Sequence, residues 1–197
     1  MKFLIACVAI LVLFGACGVS SYNGMVTKDE AVGSSWSEIQ NQYKRRFELI
    51  PQLVATVKGA ANFEKSTMIE VTEARTAVSK LSTDDGALKD PAQREAYMKA
   101  QKVLGSSLGR LLVTVERYPD LKASQNFLGL QDQLEGTDNR IATARRDYIE
   151  SIRKYNTTVR KFPARLVAGM FGFEPREQLE FENAATEKTV PTVDFGN

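Results

Sequence analysis

The sequence predicts an all-α fold: an elongated, antiparallel four-helix bundle preceded by an N-terminal membrane segment. Apolar residues recur at spacings of three and four along almost the whole chain after residue 27, which is the spacing of amphipathic helices. No stretch shows the sustained alternation that is typical of a β-strand. The first 20 residues instead contain an uncharged, mostly apolar run.

Composition limits the classes of function. A chain of 197 residues with 43% hydrophobic and 25% charged residues is the size of one domain, which excludes a multidomain enzyme. The 26 Lys and Arg residues nearly balance the 24 Asp and Glu residues, so we expect no nucleic acid partner. The chain has no histidine, the commonest metal ligand and the usual proton carrier near neutral pH. We therefore expect no metal, no cofactor and no enzymatic activity.

Residues 1–20 have the features of an export signal or membrane anchor. Lys2 supplies a positive charge, residues 3–14 are apolar, and Gly15 and Ala16 are small residues just before Cys17. As a helix, residues 3–19 would extend about 25 Å, slightly short of a hydrocarbon core of about 30 Å. A helix that spans the membrane would therefore be a tight fit.

Cys17 is the candidate for lipidation. Residues 13–17 resemble the bacterial lipobox, after which signal peptidase would cleave and Cys17 would carry the lipid. The alternative is that Cys17 is a small apolar residue in an uncleaved anchor. In both cases the rest of the chain is tethered to a membrane. Because Lys2 favours the cytoplasmic side, we expect the bulk of the chain outside the cytoplasm.

The first predicted helix covers about residues 27–61. Residues 27–30 (Thr-Lys-Asp-Glu) form a capping box, which predicts a helix start. Pro51 lacks the amide that would bond back to Phe47, so it should bend the helix without ending the apolar pattern. The predicted apolar stripe is Trp36, Ile39, Tyr43, Phe47, Ile50, Val54, Val57 and Ala61.

Two further helices follow. Asn62 is a candidate cap for a helix over 62–81, which stops at the turn formers of residues 82–86. Asp90 and Pro91 are a strong start signal for a third helix over 91–118. The apolar positions predicted for these helices are Phe63, Met68, Val71, Ala74, Val78 and Leu81, then Tyr97, Ala100, Leu104, Leu108, Leu111, Val115 and Tyr118.

The fourth predicted helix, over 120–162, has the most regular pattern. Apolar residues recur every seven positions, which is typical of a long bundle or coiled-coil helix: Phe127, Leu134, Ile141, Tyr148, Tyr155 and Phe162. Such a helix would extend about 65 Å, which favours an elongated bundle. We expect a helical domain over 21–173 and a mobile tail over 174–197, where apolar residues are sparse.

A series of short motifs resembles the LemA family of bacterial membrane proteins. The matching words include Tyr22-Asn23, Arg45-Arg46, Leu49-Ile50-Pro51, Tyr118-Pro119, Leu134-Glu135-Gly136-Thr137, Asn139-Arg140-Ile141, Phe162-Pro163 and Phe171-Gly172-Phe173. The resemblance covers about residues 20–173. It implies a short N-terminal membrane segment and an elongated helical domain without known enzymatic activity. A related domain in magnetosome-membrane proteins suggests a role in organising the cell envelope.

Polar residues on the predicted helices form the candidate binding cluster: Arg45, Arg46, Glu135, Asn139 and Arg145. Gln131, Asp138 and Arg145 lie four residues beyond Phe127, Leu134 and Ile141, where a packed bundle usually has apolar residues. One interpretation is a groove that offers guanidinium groups to a carboxylate, a phosphate or a partner helix. The other, which we favour, is a partly buried salt-bridge layer that fixes helix register, or a solvated flank.

Aromatic residues at the two ends of the domain are further candidates. Phe171 and Phe173 could form an exposed hook for a partner or fold back over the end of the bundle. Tyr22 could lie among lipid headgroups or pack against the base of the bundle. We favour folding back for the two phenylalanines, because exposed phenylalanines are a liability without a partner.

These observations predict that the protein is a scaffold or adaptor anchored in the envelope. It would bind other membrane or envelope proteins, or further copies of itself. The alternative function is a sensor that binds a small anionic ligand in an arginine-lined groove.

Overall fold

The computed structural model of the protein describes residues 1–60, 63–81 and 91–177, and every regular element in these ranges is an α-helix. The helices are α1 (Lys2–Lys58), α2 (Lys65–Leu81), α3 (Pro91–Val115), α4 (Pro119–Lys122), α5 (Gln125–Arg160) and α6 (Ala164–Phe171). The predicted all-α class is therefore confirmed. The cap residues Asn62 and Asp90, the turn at 82–86, and Ala61 lie outside the described residues.

By its internal contacts the chain divides into two compact units. The central unit is Asn41–Ile141, and the terminal unit joins Met1–Gln40 to the chain from Ala142 onward. Because α1 and α5 are long, each contributes a segment to both units.

The first helix starts 25 residues earlier than predicted, at Lys2 instead of Thr27. The Thr27 hydroxyl does not cap a helix, because it donates to the carbonyl oxygen of Asn23 at 2.9 Å, one turn back within α1. Met25 and Val32 are 0% and 1% exposed, so the buried face of the helix extends through the predicted start. Burial of this face outweighs the local capping signal.

The central unit is a helical bundle. Helices α2 and α3 are antiparallel, since ion pairs join Glu64 to Arg117 and Glu70 to Arg110. Helix α1 contacts α3 through Tyr43, whose hydroxyl lies 3.6 Å from the sulfur of Met98. The α1 segment also contacts α2, because the guanidinium of Arg75 lies 3.9 Å from the centre of the Phe47 ring. Pro51 lies inside α1, and the helix continues past it to Lys58, as the apolar pattern predicts.

The buried row of α1 differs from the predicted stripe at two positions. Phe47 and Val54 are only half-buried, whereas Arg46 and Leu53 are 5% and 0% exposed. The observed row keeps a regular alternation of three and four: Trp36, Ile39, Tyr43, Arg46, Ile50, Leu53 and Val57. At Arg46 the prediction moved to the next apolar residue because a polar one stands in the row. At Leu53 both neighbouring positions are apolar, and the prediction chose Val54, which is one residue out of the row.

The seven-residue repeat of α5 is buried from Phe127 to Tyr155, as predicted. The prediction that Phe162 is the last residue of this repeat is wrong, since α5 ends at Arg160 and the Phe162 side chain is 82% exposed. The start is also later than predicted, because α4 is a separate short helix and α5 begins at Gln125.

The second buried row of α5 lies three residues beyond the first row as far as Ala144, and four residues beyond it at Ile152 and Val159. It consists of Leu130, Thr137 and Ala144, followed by Ile152 and Val159. Asp138 is therefore exposed, and Gln131 and Arg145 are only half-buried. The prediction of a half-polar core face from these three residues was therefore wrong, because it placed the row one residue too late.

The terminal unit pairs α1 with α5. The rings of Trp36 and Tyr148 lie 5.5 Å apart. Near the other end of the pair, Arg176 joins Asp29 at 2.8 Å and lies over the Tyr155 ring at 5.7 Å. The two helices are therefore antiparallel within this unit.

After α6 the chain turns back onto α5. Gly172 ends the helix with a φ of 72°, the left-handed conformation that favours glycine. The Tyr155 hydroxyl then donates to the carbonyl oxygen of Glu174 at 3.0 Å, and the side chain of Asn156 exchanges two hydrogen bonds with the backbone of Arg176. The first residues of the predicted tail are thus held in place, and residues 178–197 lie outside the described ranges.

The N-terminal membrane segment is not supported. Within the part of the chain that the structure describes, no helix is long and apolar enough to cross a membrane.

Candidate functional site: a buried arginine in the helical core

Arg46 occupies a core position of the central unit. It lies in the buried row of α1 between Tyr43 and Ile50, which are 0% and 1% exposed. Because a guanidinium remains charged in proteins, its burial requires hydrogen-bond partners around it. The environment of Arg46 is therefore the most demanding polar site in this core.

Two helices supply those partners. One terminal nitrogen of Arg46, Nη2, donates to the side-chain oxygen of Gln101 at 2.6 Å and to the Gln101 backbone oxygen at 3.0 Å. The other, Nη1, donates to Asp138 Oδ1 on α5 at 3.3 Å. Asp138 is 58% exposed, so the pair joins a buried cation to a carboxylate at the edge of the bundle.

Gln101 extends the network to a tyrosine. It is 1% exposed, and its Nε2 donates to the Tyr97 hydroxyl oxygen at 2.9 Å. Burial raises the pKa of the Tyr97 hydroxyl, although the hydrogen bond from Gln101 and the charge of Arg46 act in the opposite direction. The ring of Tyr97 meets Tyr43 edge to face at 5.8 Å, and the Arg46 guanidinium lies 5.1 Å from the Tyr43 ring centre.

This polar layer connects α1, α3 and α5 through directional bonds. The two terminal nitrogens of Arg46 reach three acceptors on two other helices, which fits only one axial setting of those helices, while its buried Nε has no hydrogen-bond partner. A buried guanidinium with these partners is also inaccessible to a substrate. The arrangement suits the fixing of helix register better than the binding of an external anion.

The other members of the predicted polar cluster are more exposed than Arg46. Arg45 is exposed beside Arg46, and Glu135 is exposed on α5, where it accepts a hydrogen bond from Gln131 at 2.9 Å. Asn139 is also exposed in the central unit, whereas Arg145 is half-buried and belongs to the terminal unit. The arginine-lined groove is therefore not formed around Arg46.

Gln101 and its contact with Tyr97 were not predicted from the sequence. The signal was present in the spacing, because Tyr97, Gln101, Leu104, Leu108 and Leu111 follow one another at intervals of four, three, four and three. The prediction chose Ala100 in place of Gln101 because alanine is apolar. In the structure Ala100 is half-buried and Gln101 is fully buried.

Phe171 and Phe173 pack around Tyr22 in the terminal unit. The Tyr22 ring lies 4.9 Å from the Phe171 ring and 5.6 Å from the Phe173 ring. Phe173 is half-buried there, but Phe171 remains 61% exposed. Phe173 therefore folds back, while Phe171 contacts Tyr22 with one side and leaves the other accessible.

Cys17 is a free, exposed cysteine on α1, accessible to modification. No group of three or more His, Cys, Asp or Glu side chains within the described ranges is arranged to hold a metal ion.

We predict that Arg46 and Gln101 are energetically coupled. Gln101→Leu and Arg46→Met each leave a buried polar partner unsatisfied, and each should reduce the free energy of unfolding by about 1–3 kcal/mol. The loss of unfolding free energy in the double variant should be smaller than the sum of the two single losses by about 0.5–3 kcal/mol. Urea denaturation followed by circular dichroism at 222 nm measures the free energy of unfolding of the parent chain, the two single variants and the double variant. Arg45→Met, at the exposed neighbour, is the control and should shift stability by less than about 0.5 kcal/mol. Additive losses in the double variant would contradict the coupling.

The sequence also matches known proteins. The model of the LemA family matches residues 35–195. Two relatives are a magnetosome protein MamQ of Paramagnetospirillum magneticum, 27% identical over 186 residues, and protein LemA of Metamycoplasma hominis, 28% identical over 150 residues. The alignments cover 86% and 76% of this chain, and 68% and 64% of the relatives. This chain thus spans about two thirds of their length. On the family match, which extends over most of its residues, the chain belongs to the LemA family.

Proposed function

We propose that this chain is a membrane-associated scaffold of the bacterial envelope, which acts by binding other proteins and not by catalysis. Its N-terminal segment attaches it to the membrane, and its helical bundle lies outside the cytoplasm. Membership of the LemA family and the similarity to a magnetosome protein support a membrane location.

The observation that carries the proposal is the exposed apolar surface at the start of α1. Six large apolar side chains there are between 62 and 84% exposed: Phe3, Leu4, Ile5, Val12, Leu13 and Val19. No charged residue occurs from Phe3 to Thr27. A helix surface of this kind is unfavourable in water and is stabilised when lipid covers it. Attachment takes one of two forms, namely the intact helix or a lipid on Cys17.

A binding role suits the rest of the chain. The chain has no histidine for acid and base catalysis near neutral pH. The most elaborate polar network, around Arg46, is buried and occupied by Gln101 and Asp138. The helix surfaces of the central unit carry single exposed apolar residues that suit shallow protein contacts: Ile69, Val103, Val113 and Leu128.

Membrane attachment is expected to depend on the N-terminal apolar surface. In cell fractionation the chain should sediment with membranes and be released by detergent but not by high salt. Leu4→Glu with Leu13→Glu should move most of the chain to the soluble fraction in either form. In the intact helix each charged residue costs about 2.5–3.5 kcal/mol in hydrocarbon, and in the lipidated form the charges interrupt the apolar run that processing at Cys17 requires. Ile69→Glu with Val113→Glu, two exposed positions of the central unit, is the matched control and should stay with the membranes. Equal fractionation of both variants would count against the proposal.

Protein partners are expected at the helix surfaces of the central unit. A photo-cross-linking amino acid placed in turn at Ile69, Val103, Val113 and Leu128 should give discrete cross-linked species in isolated membranes, including dimers if the chain self-associates. The same membranes kept in the dark serve as the control. If all four positions yield only the monomer, the scaffold role is wrong.

A further inference from the structure

Helix α6 and the residue Phe162 before it present an apolar surface to the outside of the terminal unit. Leu166 and Met170, one helical turn apart in α6, are 62 and 80% exposed, Phe171 beside Met170 is 61% exposed, and Phe162 is 82% exposed. Ala168, by contrast, is 2% exposed and faces inward. The small side chain is therefore inside and the large apolar ones are outside, which is the reverse of a helix that covers a protein core.

The charged residues of α6 and of the segment directly before it are all basic. Arg160, Lys161 and Arg165 are exposed, and the chain from Arg160 to Phe173 contains no Asp or Glu. A short helix with large apolar residues and flanking basic residues has the composition of helices that lie in the headgroup region of a membrane. Anionic headgroups complement these three cations.

The position of α6 connects this surface to the start of α1. Phe171 contacts the ring of Tyr22 at 4.9 Å, and Tyr22 follows Val19, the last exposed apolar residue of the N-terminal segment. Three helical residues correspond to about 4.5 Å along the axis. The two apolar surfaces of the terminal unit are therefore adjacent. Tyrosine and phenylalanine at such a junction suit the interface between hydrocarbon and water.

The C-terminal end of α6 is held in place before any partner arrives. Gly172 ends the helix, the amide of Phe173 donates to the Ala168 carbonyl oxygen at 3.0 Å, and the Phe173 ring packs on Tyr22. Arg176 continues the attachment through its ion pair with Asp29 on α1. The exposed face is thus presented by a fixed helix and needs little reordering on binding.

We propose that α6 is a second membrane contact, which lies in the headgroup region of a lipid surface with Phe162, Leu166, Met170 and Phe171 toward the acyl chains. Arg160, Lys161 and Arg165 bind anionic headgroups. This inference rests on the proposed membrane association of the chain and adds a second contact to it. It holds for both forms of N-terminal attachment, because Tyr22 lies beyond Cys17.

Fluorescence quenching by brominated lipids tests the location of α6. The full chain is reconstituted in vesicles of phosphatidylethanolamine and phosphatidylglycerol, with Leu166→Trp as the probe and Val113→Trp, an exposed position of the central unit, as the matched control. The chain's own Trp36 is 9% exposed, and the parent chain provides its signal for subtraction. The added emission of Leu166→Trp should shift to the blue and decrease with brominated lipid, whereas that of Val113→Trp should not decrease with brominated lipid.

The outcomes separate this inference from the proposed function. If the chain sediments with the vesicles but the emission of Leu166→Trp is not quenched, the α6 contact is wrong and membrane association stands. If the emission shifts to the blue without quenching, a protein or a second copy covers α6, which also overturns the proposal. If the parent chain does not sediment with vesicles, the proposed function itself fails.

A separate variant tests whether the three basic residues near α6 bind anionic headgroups. Replacing Arg160, Lys161 and Arg165 by glutamine in the Leu166→Trp chain should reduce quenching in vesicles that contain phosphatidylglycerol. In vesicles of phosphatidylcholine the two chains should be quenched equally. Equal quenching in both kinds of vesicle would overturn the assignment of anionic headgroups as the ligand.

Discussion

The continuity of α1 is the constraint on which this structure depends. One helix from Lys2 to Lys58 carries the exposed apolar surface, the ring of Tyr22 and the core row that contains Arg46. The helix continues past Thr27, whose hydroxyl donates to the Asn23 carbonyl oxygen one turn back, so Tyr22 and the buried residues Met25 and Val32 of the terminal unit lie on one continuous helix. A flexible joint at that position would separate Tyr22, on which Phe171 and Phe173 pack, from Asp29, which forms the ion pair with Arg176.

The two polar features of the molecule have different roles. Around Arg46, the charge is buried, its two terminal nitrogens are hydrogen-bonded to Gln101 and Asp138, and this arrangement suits a role in aligning the helices of the central unit. Around α6, the charges are exposed and accompany large apolar side chains, which is unfavourable for a surface that meets only water. The first feature is structural, and the second is available for binding.

Helix content and much of the core were predictable from periodicity, because apolar spacing follows directly from helix geometry. The heptad positions from Phe127 to Tyr155 are buried as that spacing requires. Periodicity failed where a polar residue occupies a core position, as at Arg46 and Gln101, since a hydrophobic pattern has no rule for satisfied buried charge. The capping box at Thr27 predicted a helix start that does not exist. The helix already includes the residues before Thr27, because Met25 and Val32 on either side of it are both buried. The α6 surface was missed because Phe162 was assigned to the core.

A spin-label scan over residues 16–32 of the vesicle-bound chain tests the continuity of α1 most directly. Single cysteines are introduced in turn into a chain that carries Cys7→Ser and Cys17→Ser, and the mobility and accessibility of each label are measured. The account predicts low mobility throughout and an accessibility that varies with a period of about 3.6 residues through Thr27. A rise in mobility with loss of the period between Asn23 and Thr27 would show two separate elements and contradict it.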